Sequence, residues 1–316
     1  MSLSKIENQQ PNIITMSRQE FSMIEKRIVL YVINQIKTGF NISPDLFQNQ
    51  TFTVPIANLK SNYNEIKKSC KKLNSRQITL VNEELDEVSF ITPFPRVDYL
   101  GKSGVIKVWM FADVVPHFVE LSKGYTKYPL EIALQLDSIY SQRMYEILCS
   151  KKDLGAWLNV DLEKLKHILN AEKYERYSHF KQRVLDIAQK ELDEKANIKF
   201  TYEPSRKEGK KVTHLDFHIL TEQEQATMNV ESEMDSVASL NIGQIMAQAS
   251  QILATYNFSS NQYKEIMTDN RLLKLFIEED SKIVHGVRKN IKNKSAYMAT
   301  VLGFGNKKKI LQGNKT

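Results

Sequence analysis

The sequence predicts an α+β chain in which one helix–helix–ribbon unit occurs twice and a small all-α region follows. Two observations carry this expectation. First, a short pattern recurs at a constant offset: Val54, Ile56, Leu59 and Lys60 correspond to Val160, Leu162, Leu165 and Lys166. In each copy a short extended piece leads into a short amphipathic helix, a turn and a longer helix. The longer helix is marked by Tyr63, Ile66 and Lys67 in the first copy and by Tyr177, Phe180 and Lys181 in the second. Second, each copy runs on into β-rich sequence, residues 77–81 with 101–111 in one and 198–202 with 212–219 in the other. Helix, helix, then a two-stranded ribbon is the order of a winged helix, a variant of the helix-turn-helix. Two copies in one order are harder to obtain by accident than one. The expected fold is therefore two tandem winged-helix domains followed by a small all-α C-terminal region.

Taken in order, residues 1–15 are polar and aperiodic, and are expected to form a flexible arm. Ser17-Arg18-Gln19-Glu20 has the form of a capping box, a hydroxyl for one orphan amide and a carboxylate reaching back. Phe21, Ile24, Ile28, Tyr31 and Val32 follow at helical spacing, and Gly39 can end that helix. Residues 41–50, with Pro44 and Asp45, read as a turn. The first winged helix is placed at 16–128. Residues 129–220 are read as a linker helix and the second winged helix. The linker, 129–151, packs through Leu130, Leu134, Ile139, Tyr145 and Leu148, and a turn over 204–211 joins the strands of the second ribbon. Residues 221–239, rich in Glu, Gln and Ser, read as a second linker. Helical spacing resumes over 240–316 with Ile242, Ile245, Met246, Ala249 and Ile252, and the Gly- and Lys-rich tail from Gly303 is expected to fray.

The composition, 41% hydrophobic and 26% charged, suits a globular chain, and 316 residues suffice for two or three domains. No apolar run reaches the length of a membrane span. The first ten residues hold one cation, Lys5, and no apolar core, so they do not read as a signal peptide, and the bacterial cytoplasm is the expected location. With Cys70 and Cys149 as the only cysteines, neither a disulfide framework nor a multi-thiolate metal site is expected. A net charge of +7 is compatible with a polyanionic partner, but placement decides more than the total.

The placement is informative. On the helix from Tyr63 to Asn74, Tyr63, Ile66, Cys70 and Leu73 fall on one stripe, and Lys67, Lys68, Lys71 and Lys72 fall on the other, with Arg76 following. A solvated lysine face is the bland reading of such a helix; its position as the second helix of a helix-turn-helix favours DNA. The long helix of the second copy, 175–196, should bury Tyr177, Phe180, Val184, Ile187 and Leu192. Near its start it presents Lys173, Arg176, Ser178, His179, Lys181, Gln182 and Arg183, at the end that meets base edges in this class of domain. Arg and Lys suit guanine, Gln suits adenine, and Ser and Lys suit phosphates. Arg206, Lys207, Lys210 and Lys211 lie where a wing would rest on a phosphate strand. Asp186, Glu191, Asp193 and Glu194 should point away from DNA or pair with lysines.

No catalytic constellation is legible in the sequence. The chain has no Walker-type glycine loop. His214 and His218 are spaced too widely for the paired histidines of a nicking enzyme and lack accompanying acids or thiolates. His117, His167, His179 and His285 are scattered. The sequence gives no support for an enzyme, and no cofactor or metal is expected.

The residues also carry a resemblance. Residues 138–148, Ser-Ile-Tyr-Ser-Gln-Arg-Met-Tyr-Glu-Ile-Leu, are similar to the linker helix of the RepB-type initiator replication proteins of theta-replicating, iteron-containing bacterial plasmids. Phe180-Lys181-Gln182-Arg183-Val184-Leu185, Ala188 and Glu191-Leu192 are similar to that family's second recognition helix, and 210–219 resemble its closing wing strand. The family often has a proline where this chain has Ile187. The resemblance covers residues 16–219. It implies monomers that bind direct repeats at an origin in double-stranded DNA and help open the duplex. It also implies homodimers, joined largely through the first winged helix, that repress their own gene through inverted repeats, and recruitment of the host initiator and replicative helicase. Two alternatives stay open: a winged-helix transcriptional repressor without initiator activity, and a primosome or helicase-loading component acting through the region after Asn241.

Overall fold

A computed structural model of the chain describes residues 6–39, 49–82, 86–122 and 124–304. Nearly all of the expected turn at 41–50, and the tail after Phe304, fall outside the described residues. The chain forms two compact units, one ending at Ile219 and one beginning at Leu220.

The expected flexible arm is ordered from residue 6 onward. Strand β1 (Glu7–Pro11) pairs antiparallel with Tyr125–Pro129, and a short helix α1 (Asn12–Thr15) follows. The sequence hid this strand because its inward positions are amides, Asn8 and Gln10, both fully buried. They are admitted because they are partnered: Asn8 Nδ2 donates to Leu30 O (3.0 Å), and Gln10 Oε1 accepts from the Tyr128 hydroxyl (3.0 Å). The expected capping box at Ser17 does not form; Ser17 Oγ donates to Ile14 O, and Arg18–Gln19 is strand β2. Helix α2 (Met23–Gly39) instead starts after Ser22, whose amide donates to Glu25 Oε2 (2.8 Å), half of a capping box five residues on.

From here the first winged helix unfolds in the expected order. Strand β3 (Gln50–Pro55) leads into a 3₁₀ turn (Ile56–Leu59) and helix α3 (Tyr63–Leu73), which Asn62 caps through the Glu65 amide. Strands β4 (Ile78–Asn82), β5 (Glu87–Ile91), β6 (Arg96–Leu100) and β7 (Val105–Met110) follow, then helix α4 (Val115–Val119) and strand β8 (Tyr125–Pro129). The ribbon is not 77–81 with 101–111, as expected. β7 pairs with β6 and β3, while β4 pairs with β5 and β2 in a separate sheet. Pro93 and Pro95 flank the buried Phe94 between β5 and β6, and their missing amides end one ladder before the next begins.

The expected helical linker is two helices, α5 (Leu130–Gln135) and α6 (Ile139–Lys151), separated where Ser138 caps α6 and the Glu191 carboxylate accepts from the Asp137 and Ser138 amides. α6 packs into the core of the second winged helix, burying Met144, Tyr145, Ile147 and Leu148. Strand β9 (Ala156–Asp161), helix α7 (Leu162–Ile168), helix α8 (Tyr177–Phe180), a π turn (Lys181–Leu185), helix α9 (Asp186–Lys195), and strands β10 (Phe200–Glu208) and β11 (Lys211–Ile219) complete it. Its sheet order, β10-β11-β9, reproduces β6-β7-β3, so the recurrence read in the sequence is a structural repeat. The expected turn at 204–211 is mostly strand: only Gly209, with φ of 60°, and Lys210 connect β10 and β11.

In the second unit, the expected linker at 221–239 is helix α10 (Glu222–Ala238), opened by a full capping box between Thr221 and Glu224. Its polar composition concealed a narrow buried stripe of Ala226, Val230 and Val237. Helices α11 (Ile242–Leu253), α12 (Ser260–Thr268), α13 (Asn270–Val284) and α14 (Lys294–Val301) share a core that includes Leu253, Tyr256, Ile266, Leu273, Phe276 and Met298. No helix among the described residues is long and apolar enough to cross a membrane.

Candidate nucleic-acid interface

Helix α3 divides as its spacing requires. Ile66, Ser69, Cys70 and Leu73 are buried, and Lys67, Lys68, Lys71 and Lys72 are exposed without a salt bridge among the described residues. Tyr63, expected on the buried stripe, is 68% exposed because it occupies the first helical position, ahead of the packed turn. Arg76 differs from the lysines. Its guanidinium donates to both oxygens of the fully buried Glu25 carboxylate, at 2.8 and 3.2 Å. Held there, Arg76 lines one cleft with Ser22, Lys68 and Lys72 and a second with Tyr140, Asn170 and Lys173. The cations of α3 and those of the second winged helix thus meet through one fixed arginine.

In the second winged helix Asp161 caps α7, and Lys166, fully buried, donates to Glu175 O (2.9 Å) and Glu163 Oε1 (3.0 Å). The lysine of the recurring pattern therefore anchors the loop that carries Lys173 and Arg176, both exposed. Arg18 reaches the same loop from the first winged helix, donating to Glu172, to Asn170 Oδ1 (2.7 Å) and to His167 O (3.2 Å). Neither arginine contact was evident in the sequence, which holds no local signal for a partner so far along the chain.

Along α8, the π turn and α9, the buried stripe is Phe180, Val184, Leu185, Ala188 and Leu192. Ser178, His179, Gln182 and Arg183 are exposed. Lys181 is exposed as well, but its ammonium is bound to Asp186 at 2.8 Å. Two expectations fail here. Tyr177 is only half-buried, and Ile187, expected in the core, is 40% exposed. The π turn adds one residue to the helical repeat, so the inward positions fall at 184, 185 and 188 rather than at 187. The helix's acids are all paired: Asp186 with Lys181, Glu191 with Lys195, Asp193 with Lys199, and Glu194 with Lys190 at 4.0 Å. The Lys181 and Tyr202 bonds keep the Asp186 carboxyl below its usual range against the opposing effect of burial.

The wings are unequal. β11 pairs with β9 only from His214 to His218, whereas its pairing with β10 continues to Glu208↔Lys211. Lys207, Lys210 and Lys211 therefore lie beyond the end of β9, and Arg206 is level with its last residue, Asp161; all four are exposed, on a ribbon whose register shifts on either side of Arg206. In the first winged helix β3 accompanies β7 along its whole length, Gln50↔Met110 to Pro55↔Val105, so no comparable ribbon projects. Among the described residues, no group of three or more His, Cys, Asp or Glu side chains is placed to hold a metal ion.

Comparison with known proteins agrees with this geometry. Residues 8–149 match a family described as Initiator Replication protein, WH1, and residues 161–219 match one described as Initiator Rep protein, WH2. A crystal structure of the Pi initiator protein in complex with iteron DNA is similar in fold, with a TM-score of 0.54 and 18% sequence identity. The match covers 69% of this chain and 98% of that one. The unit from Leu220 onward lies outside both family matches.

Proposed function

Because this chain belongs to the initiator replication protein family through both of its winged-helix domains, we propose that it initiates plasmid replication by binding direct repeats at the origin as a monomer. The observation that carries the reading is the junction at Arg76, where the lysine face of α3 and the Lys173 loop of the second winged helix line two clefts that share Ser22 and Arg76. Two recognition helices set in one unit suit a site spread over successive turns of a duplex. The first, dense in lysine, is suited to phosphates. The second, with Arg176, Gln182, Arg183 and Ser178, is suited to base edges. The Pi initiator, similar in fold, is described with iteron DNA, which supports repeats of that kind as the target.

The same protein forms a dimer that represses its own gene through an inverted repeat. Supporting this is the β4–β5 hairpin, where the cross-strand pair Val81 and Val88 and the neighbouring Phe90 are 50%, 52% and 67% exposed beside β5, the edge strand of its sheet among the described residues. The unit from Leu220 recruits the host initiator and replicative helicase in the bacterial cytoplasm. A plasmid carrying only this gene and its flanking repeats tests the reading in a host without other initiators. Replication that is lost with Arg176→Ala and Arg183→Ala together supports it. Promoter binding without replication by the unaltered chain favours a repressor instead. If deletion from Asn241 onward preserves DNA binding but abolishes replication, the helical unit is the recruiting part.

A further inference from the structure

The outward face of the second recognition helix is polar at Ser178, His179, Gln182, Arg183, Lys190 and Glu194, and apolar at Ile187. Ile187 lies four residues after Arg183 and three before Lys190, so the three share one helical face. Directly behind them Val184, Ala188 and Leu192 are fully buried. An isoleucine with 40% of its surface in water at this point is a consequence of backbone geometry, not of a loose core. Continued at 3.6 residues per turn from Phe180, the stripe would bury 184, 187 and 191. The π turn at Lys181–Leu185 adds a residue, moves Ala188 and Leu192 inward and turns Ile187 out. Single exposed apolar residues are common on protein surfaces. This one stands among the side chains assigned to base edges, on a helix whose turn departs from regular geometry to present it.

In the major groove the base edges offer hydrogen-bond donors and acceptors and one apolar feature, the C5-methyl group of thymine. We propose that Ile187 is a specificity-determining residue that packs against a thymine methyl group within the repeat. The inference rests on the reading that α8–α9 enters the major groove, and adds to it one base preference that hydrogen bonds cannot supply.

The test uses the full chain and the duplex it selects from a random library, with each thymine replaced singly by deoxyuracil, which removes only the methyl group. Loss of one buried methyl contact corresponds to about a fourfold weakening. The unaltered chain should show that loss at one thymine, or two adjacent ones. Ile187→Ala should bind the parent duplex about fourfold more weakly and no longer distinguish thymine from uracil there, while losses at other positions persist. Ile187→Val should retain part of the discrimination. If Ile187→Ala weakens both duplexes equally, or no thymine depends on residue 187, the inference is wrong, while a base preference lost with Arg183→Ala still places the helix in the groove. If the unaltered chain selects no sequence at all, the inference and the functional reading fall together. Because Ile187 lies outside the core, its replacement leaves the fold intact, and an unchanged thermal transition verifies this.

Discussion

Lys26 Nζ lies 2.6 Å from Glu146 Oε1 with both side chains fully buried, and the pair joins α2 to α6, whose Met144, Ile147 and Leu148 pack into the core of the second winged helix. Glu146 Oε2 accepts from Arg143 Nη1 at 2.6 Å, and Arg143 Nη2 donates to Thr15 O and Ser17 O at 2.7 and 2.8 Å. One carboxylate therefore neutralises two buried cations across the junction. Glu146→Gln removes the only carboxylate facing them among the described residues and should destabilise the first unit by about 3–5 kcal/mol. Lys26→Met leaves the Arg143–Glu146 pair intact and should cost clearly less. Urea unfolding at neutral pH, followed by a signal from this unit, compares the two. Equal losses would mean that the carboxylate does not hold the junction together.

The same cluster gives a pH dependence of definite sign. Burial lowers Lys26 to about 8, against its usual 10.5, despite the opposing pull of Glu146. The folded state then binds this proton less tightly than the unfolded state, so between pH 8 and 10.5 the unfolded chain carries more protons, and the contribution of Lys26 rises with pH. Below pH 8 its penalty is fully present. Lys26→Met should therefore flatten the stability profile between pH 8 and 10, as read by unfolding free energy, and leave the neutral region parallel to that of the unaltered chain.

The lysines of α3 and the wing should act on DNA affinity, not on folding. Each of Lys67, Lys68, Lys71, Lys72, Lys207 and Lys210 that meets a phosphate should lower the slope of log K against log salt by about 0.9 when replaced by alanine. Arg76→Ala should behave otherwise. It strands the buried Glu25 carboxylate and should reduce folding stability by about 1–3 kcal/mol in addition to weakening DNA binding. Fluorescence anisotropy over a salt series, together with thermal unfolding, separates the two behaviours. A slope unchanged by all six lysine substitutions would remove α3 and the wing from the interface.

The outward cations were legible from the chain because a charged face opposite an apolar stripe survives in one dimension. The repeated winged-helix order was legible for a similar reason, since Val54, Ile56 and Leu59 recur as Val160, Leu162 and Leu165. What stayed hidden depended on partners distant in sequence or on departures from regular periodicity. β1 carries amides where a strand usually carries apolar residues, and Leu30 O, the Thr15 hydroxyl and the Tyr128 hydroxyl make their burial tolerable. α10 looks like a linker by composition, although Ala226, Val230 and Val237 supply a sufficient stripe. The π turn changed the sidedness of Ile187 without any glycine or proline to announce it. The sequence groups Arg76 with the DNA-facing lysines of α3, since nothing nearby reveals its bond to Glu25, 51 residues away.

On the second recognition helix, exposure and pairing rank the side chains. Arg183 is exposed and has no salt bridge among the described residues, whereas Lys181 is occupied by Asp186 and lies 5.7 Å from the Tyr202 ring. Arg183→Ala should weaken binding to the selected duplex by about 1–3 kcal/mol and relax preference at one base pair. Lys181→Ala should change affinity less and leave the selected sequence unchanged. Repeating the library selection with each variant decides this, and a shifted consensus with Lys181→Ala but not with Arg183→Ala would reverse the ranking.

The proposed dimer surface on the β4–β5 hairpin can be tested apart from DNA binding. Ile78 and Leu80 of β4 are buried in the first core, while Val81, Val88 and Phe90 face outward. β5 is the last strand of its sheet among the described residues, and its outer edge there offers backbone groups for pairing beside that apolar surface. Two copies of β5 meeting antiparallel about Ser89 would set Val88 of each against Phe90 of the other, an arrangement that satisfies both edges by a single two-fold axis. Phe90→Asp would place two carboxylates in that contact and should convert dimer to monomer in sedimentation equilibrium. Because Phe90 has no part in the core, the thermal transition should hold, and affinity for a single direct repeat should be unchanged or rise as the monomer fraction grows. A Phe90→Asp chain that still sediments as a dimer would place the self-association surface elsewhere.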